Sequence, residues 1–160
     1  MARNKYPYEI FIQDRVAEHL ISKGYSIQKN SELHGHGVDI KARNEKYSRY
    51  WLVEVKGGSS SKNAKSVNTN NFVFGLGQIL TRIQSVVPPK ATAGSNKYGV
   101  AYPDEFKKFL RSQRLHWNLC KNLNLYIFFV RKNGDVEEYN WERVKESFIA
   151  SKRGVCDGQT

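Results

Sequence analysis

The chain is short of everything that would make it extracellular or membrane-bound. Among 160 residues there are two cysteines, Cys120 and Cys156, too few for the disulfide framework that small secreted domains carry. No apolar run approaches the roughly 20 residues of a membrane-spanning helix. The opening Met1-Ala2-Arg3-Asn4-Lys5-Tyr6-Pro7-Tyr8 lacks the apolar stretch of a secretory signal. With four prolines, no internal repeat and no linker, nothing divides the chain. These absences predict one soluble domain over residues 1–160, cytoplasmic or nucleoid-associated, with a frayed tail from about residue 151. The hydrophobic fraction of 39% is ample for a core at this length.

Acids are scarce too, 15 against 26 Lys and Arg, for a net charge of +11. The shortage is local. Between Val55 and Pro103 there is no acid, and from Val55 to Gly134 only Asp104 and Glu105 stand against 13 basic residues. That stretch carries the whole excess. Such a surface attracts polyanions, of which nucleic acids are the commonest inside cells. No helix sets Lys and Arg opposite an apolar face, which disfavours a membrane surface as the partner.

Periodicity supplies the elements. Residues 8–23 repeat Ile12, Val16 and Leu20 at helical spacing, and Gly24 ends the helix. Strands are expected at 25–29, 37–43 and 49–56, the last two joined by a polar turn at 44–48. Residues 57–66 read as a flexible basic loop. A long helix starting at Asn70 or Asn71 carries Phe72, Leu76, Ile79, Leu80, Ile83 and Val87 on one face and stops at Pro88-Pro89. A buried strand follows at 97–102, one helix from Asp104 to Asn122, a hairpin at 125–131 and 136–139, and a last helix at 141–150. This order predicts an α/β domain in which helices flank a central mixed sheet.

The chemistry concentrates in Val38-Asp39-Ile40 and Glu54-Val55-Lys56. Side chains alternate along a strand, so Glu54 and Lys56 share one face while Trp51, Val53 and Val55 face the other. Pairing through the 44–48 turn brings Asp39 alongside Glu54. Two carboxylates so placed suit a hard divalent ion such as Mg²⁺, with the Val55 carbonyl as a further ligand. Lys56 can position a water or stabilise charge on a phosphate, which suits phosphodiester hydrolysis. The competing reading is a surface salt bridge worth under ~1 kcal/mol. Lys62 and Lys65 in the basic loop, and Arg82 on the long helix, are candidate phosphate contacts. His34 and His36 lack partner ligands for zinc and read as turn residues.

Together, "AEHLISKGYSI", "GVDIKAR" and "WLVEVKGGSSSK" resemble the PD-(D/E)xK nuclease superfamily, the restriction-endonuclease-like fold shared with archaeal Holliday junction resolvases. The resemblance runs over residues 8–87 and departs from the common pattern in having Val38 before Asp39 in place of proline. It implies an αβββαβ core with Asp39, Glu54 and Lys56 as the active trio. It also implies an acid on the first helix: the matching positions hold Gln13 and Asp14, Asp14 being favoured, with Glu9 and Glu18 as alternatives. By the same resemblance Gln78 lines the site. The expected activity is that of a Mg²⁺-dependent endodeoxyribonuclease, Mn²⁺ substituting, of restriction, homing or junction-resolving type. The alternatives are a non-catalytic DNA- or RNA-binding module on the same fold and a basic adaptor. One site cuts one strand, so cutting both implies a homodimer or higher oligomer.

Overall fold

In the computed structural model, residues 5–28, 37–44, 46, 49–86, 96–113 and 115–153 are described. Six strands form one mixed sheet in sequence order: β1 (Ser26–Gln28), β2 (Ile40–Asn44), β3 (Arg49–Val55), β4 (Asn96–Pro103), β5 (Leu125–Val130) and β6 (Val136–Tyr139). β1, β2 and β3 pair antiparallel, β3–β4 and β4–β5 parallel, and β5–β6 antiparallel. Parallel neighbours need a crossover long enough to return the chain. Helix α2 (Ala64–Val86) provides it between β3 and β4, and α3 (Lys107–Ser112) with α4 (Trp117–Asn122) between β4 and β5.

Both faces of the sheet are covered. Ile12, Val16 and Leu20 of α1 (Glu9–Ser22) bury against Ile40, Trp51, Val53, Val55 and Phe128. On the opposite face Phe72 and Ile79 of α2 pack with Leu52, Val100, Tyr102, Ile127 and Phe129, joined by Val144 of α5 (Trp141–Arg153). The expected alternation in β3 is therefore real, but the Glu54 side is not open. Glu54 is 3% exposed, roofed by α2.

Several boundaries differ from the sequence reading, and β2 begins at Ile40, so Asp39 lies just ahead of it. Helix α2 begins at Ala64, ahead of Asn70 and Asn71. The asparagines are used differently: Asn68 accepts from Ser59 N at 2.7 Å and donates to Ser59 O, and Asn71 donates to Gly57 O at 2.9 Å. They latch the loop that follows β3, so its first residues are tied down. The single helix expected over 104–122 is three pieces, a 3₁₀ turn at Asp104–Phe106, α3 and α4. Leu115 is buried in the break between α3 and α4, an anchoring that a continuous helix would forgo. Helix α5 runs on to Arg153. Among the described residues no helix is long and apolar enough to cross a membrane. His34, His36 and Val87 lie outside the described residues.

Candidate active site

The β2–β3 register pairs Ile40 with Val53, and one step further sets Asp39 opposite Glu54. Asp39 is fixed there from two sides. Its Oδ2 accepts from Val55 N at 2.7 Å, and its backbone carbonyl accepts from Gln13 Nε2 at 3.0 Å. Val55, read from the sequence as a carbonyl ligand, enters the observed site through its N–H. Lys56 Nζ donates to Glu54 Oε1 at 3.1 Å. Burial raises the Glu54 pKa above the usual carboxylate value, and the charge of Asp39 raises it further, while Lys56 and Arg82 pull it down. Glu54 Oε2 is buried and finds no hydrogen-bond donor among the described residues.

This pair is not the surface salt bridge of the competing sequence reading, since Lys56 and Glu54 side chains are 16% and 4% exposed. Removing one member of a buried pair strands the other charge.

Of the first-helix acids, Glu9 rather than Asp14 shares the electrostatics of Asp39 and Lys56. Asp14 is exposed on the flank of α1. Glu9 starts the helix, four residues before Gln13 and thus on the same face, directly over the end of β3. A Cβ on Gly57 would lie 2.5 Å from Glu9 N, so only glycine lets the chain after Lys56 pass this close. Gly58 N donates to Pro7 O at 2.7 Å and fixes the approach. Although Glu9 as a residue is exposed, the crowding about its carboxyl raises its pKa; Asp39 adds to that effect, while Lys56 and the Gly57 N–H oppose it. Glu9, Asp39, Glu54 and Lys56 thus form one electrostatic group. Glu18 is engaged elsewhere, with Arg15 at 2.8 Å.

From α2, Arg82 reaches the site: its Nη2 donates to Gly37 O at 3.3 Å and its charge acts on Glu54. Gln78 is exposed and joins none of these contacts among the described residues. Lys62 and Lys65 are exposed and line a shallow depression of about 440 Å³ with Asn63, Ser66, Thr69 and Asn70. Sequence reasoning missed Asn68 and Asn71. Their signal was an amide on the apolar side of the helix, where backbone groups need partners.

Gly75 sets how close α2 comes. A Cβ there would lie 2.7 Å from Tyr102 Oη, 2.9 Å from Val100 Cγ1 and 3.1 Å from Lys56 Cγ. The buried Tyr102 hydroxyl donates to Phe72 O at 2.6 Å and cannot shift without losing that bond. Gly75→Ala would gain about 1 kcal/mol of helix propensity, against roughly 1–3 kcal/mol for overpacking and a similar cost for the disturbed buried hydroxyl. The expected result is a net loss of about 1–5 kcal/mol in urea unfolding. A more stable variant would show that α2 does not press on Lys56 as described.

The residues fit a divalent cation. A buried carboxylate with a free oxygen, opposite a second carboxylate that raises its pKa, is relieved by positive charge between them. No group of three or more His, Cys, Asp or Glu side chains arranged to hold a metal occurs among the described residues. Mg²⁺ is commonly held by one or two carboxylates and keeps several waters.

No family model matches this chain, and no curated protein matches it. Among solved structures it is similar to an XisH family protein from Nostoc punctiforme, with a TM-score of 0.52 and 16% identity over 81% of this chain and 98% of that one. At that identity the likeness is one of fold.

Proposed function

We propose that the chain has a restriction-endonuclease-like core and is a Mg²⁺-dependent endodeoxyribonuclease. The observation that supports it most is Glu54: a buried carboxylate, opposite Asp39 and bonded to Lys56, with one oxygen left without a donor. A protein keeps so unfavourable a group where a ligand completes it.

In this reading Asp39 and Glu54 would hold the ion, which when bound would supply a more acidic water and positive charge for the phosphate. Val55 N–H and Gln13 fix the Asp39 carboxylate and backbone, so that neither has to reorganise during the reaction. Lys56, anchored on Glu54 and confined by Gly75 above its stem, presents its ammonium to the attacking water or to charge growing on the phosphate. Glu9 stands at the rim to orient that water. Arg82, Lys62 and Lys65 serve the phosphate backbone and carry affinity rather than sequence reading. The test is incubation with plasmid, branched and single-stranded DNA, with and without Mg²⁺. Binding without Mg²⁺-dependent cleavage of any of them would replace the nuclease by a binding module.

Because the excess charge lies between Val55 and Gly134, binding to duplex DNA should weaken steeply with salt. Changing Lys62 and Lys65 together to Ala should reduce the log–log slope by roughly one to two units, at about 0.9 per phosphate contact. An unchanged slope in a fluorescence-anisotropy titration would place this depression away from the DNA.

A further inference from the structure

Helix α2 roofs only part of the sheet face beneath it. β2 and β3 pair Lys41 with Leu52 and Arg43 with Tyr50, and directly paired residues point to the same side. That side carries Glu54, with Asp39 opposite it. The cover reaches Leu52, which is buried with Phe72 and Ile79 of α2. Beyond Leu52 it ends: Lys41 and Tyr50 are half-buried and Arg43 is exposed. Ile40 and Ala42, which alternate with them on β2, turn the other way and are buried with the α1 residues.

Charge on this strip is one-sided. β1, β2 and β3 hold Lys41, Arg43 and Arg49 against a single acid, Glu54. Lys41 Nζ lies 5.0 Å and Arg43 Cζ 5.9 Å from the centre of the Tyr50 ring, within cation–π range. Among the described residues no carboxylate pairs with either cation. On the far strand the opposite holds, where Glu137 takes Lys107, Arg131 and Arg143. Two like charges side by side on one face repel each other unless an anion lies across them.

The strip leads out of the candidate site. At roughly 3.3 Å per residue, the Lys41–Leu52 and Arg43–Tyr50 rows stand about 7 and about 13 Å from Glu54. Arg82, bonded to Gly37 O, marks the site end of the same line. A small anion needs one such cation; a regularly spaced row fits a chain of phosphates.

We propose that Lys41 and Arg43, held in place by the Tyr50 ring, bind the phosphates of a nucleic-acid strand on one side of the bond to be cut. The substrate must then extend past the cut on that side. Which bond is cut rests on the nuclease reading; the binding does not.

The test is fluorescence anisotropy with labelled single-stranded and duplex DNA in the presence of a chelator, which reads binding even if the chain cuts nothing. Lys41→Gln with Arg43→Gln should melt like wild type, bind roughly tenfold or more weakly at about 0.1 M salt, and lose about one to two units of log–log salt slope. The exchange Lys41→Arg with Arg43→Lys should bind like wild type. Tyr50→Phe should do so too, whereas Tyr50→Leu should bind more weakly at an unchanged slope, because the charges remain and only their placement is lost. With Mg²⁺, uncharged methylphosphonates at the second and third phosphates on one side of the cut should slow wild type and leave the rate of the Gln double variant unchanged. Unchanged affinity and slope in that double variant, an equal loss in the exchange variant, or Tyr50→Leu binding like wild type would each overturn the proposal. Loss of binding to phosphatidylserine vesicles with DNA binding intact would give the strip to a membrane surface instead. If wild type cuts nothing but the double variant still loses affinity, the nuclease reading falls and the strip remains a nucleic-acid site.

Discussion

Glu54→Gln should abolish Mg²⁺-dependent cleavage, by more than about 10³-fold, while leaving DNA affinity close to wild type. Asp39→Asn should do the same. Each removes one of the two carboxylates that face each other across β2 and β3. The Glu54 variant has a second, opposite effect. Its folded pKa is raised, first by burial and then by Asp39. A raised folded pKa means that the folded state binds the proton more tightly than the unfolded chain. That contribution to stability is fully present below the unfolded value of 4.5 and is lost as pH rises through the folded value. Above its folded value the metal-free protein therefore carries an ionised carboxylate at a cost. Without metal, the melting temperature of Glu54→Gln relative to wild type should rise as pH increases above 4.5, while the loss of the Lys56 partner is common to every pH. Adding Mg²⁺ should raise the wild-type melting temperature and leave the variant unmoved. A variant that cleaves normally, or whose melting temperature relative to wild type does not rise with pH, contradicts this account of Glu54.

Lys56→Ala carries the second large effect, a rate loss of roughly 10² to 10³ in single-turnover cleavage. Because the pair is buried, stability falls as well, by up to roughly 3–5 kcal/mol where Glu54 is left charged and alone. The loss should shrink as pH falls and Glu54 takes up a proton. The double variant Lys56→Ala, Glu54→Gln separates the two roles: it should recover most of the stability and none of the activity. Lys56→Arg keeps the charge but changes its shape and does not release a proton. Rescue by Arg would assign Lys56 an electrostatic role, and no rescue a positioning or proton-transfer role. Lys56→Ala cleaving within about twofold of wild type would remove Lys56 from the reaction.

The trio was legible because a strand alternates strictly and a short hairpin fixes its register: once β3 and the 44–48 turn are placed, Asp39 can only meet Glu54. Burial of Glu54 was not legible. A Glu-x-Lys pair looks solvated until the parallel β4 puts α2 over it, a long-range consequence of Gly75 that no local pattern carries. On α1, spacing to Gly24 pointed to Gln13 and Asp14, but which acid faces the site depends on where the helix starts. Tyr8 is extended and Glu9 begins the helix, so the close pass over Gly57 brings Glu9 beside the end of β3. The α2 start was misplaced because Asn70 and Asn71 look like caps. Tertiary contacts turned Asn68 and Asn71 into latches for the loop after β3 instead. The broken helix over 104–122 failed for the same reason, since Leu115 is drawn inward by packing rather than by propensity.

The most direct measurement is single-turnover cleavage of duplex DNA by wild type and Glu54→Gln, purified in parallel, with Mg²⁺ and with Mg²⁺ removed by a chelator. The account predicts strand cleavage by wild type with Mg²⁺ alone, none without the ion, none by the variant under either condition, and equal DNA binding by both proteins. Equal cleavage by wild type and variant, or cleavage that survives the chelator, would contradict it.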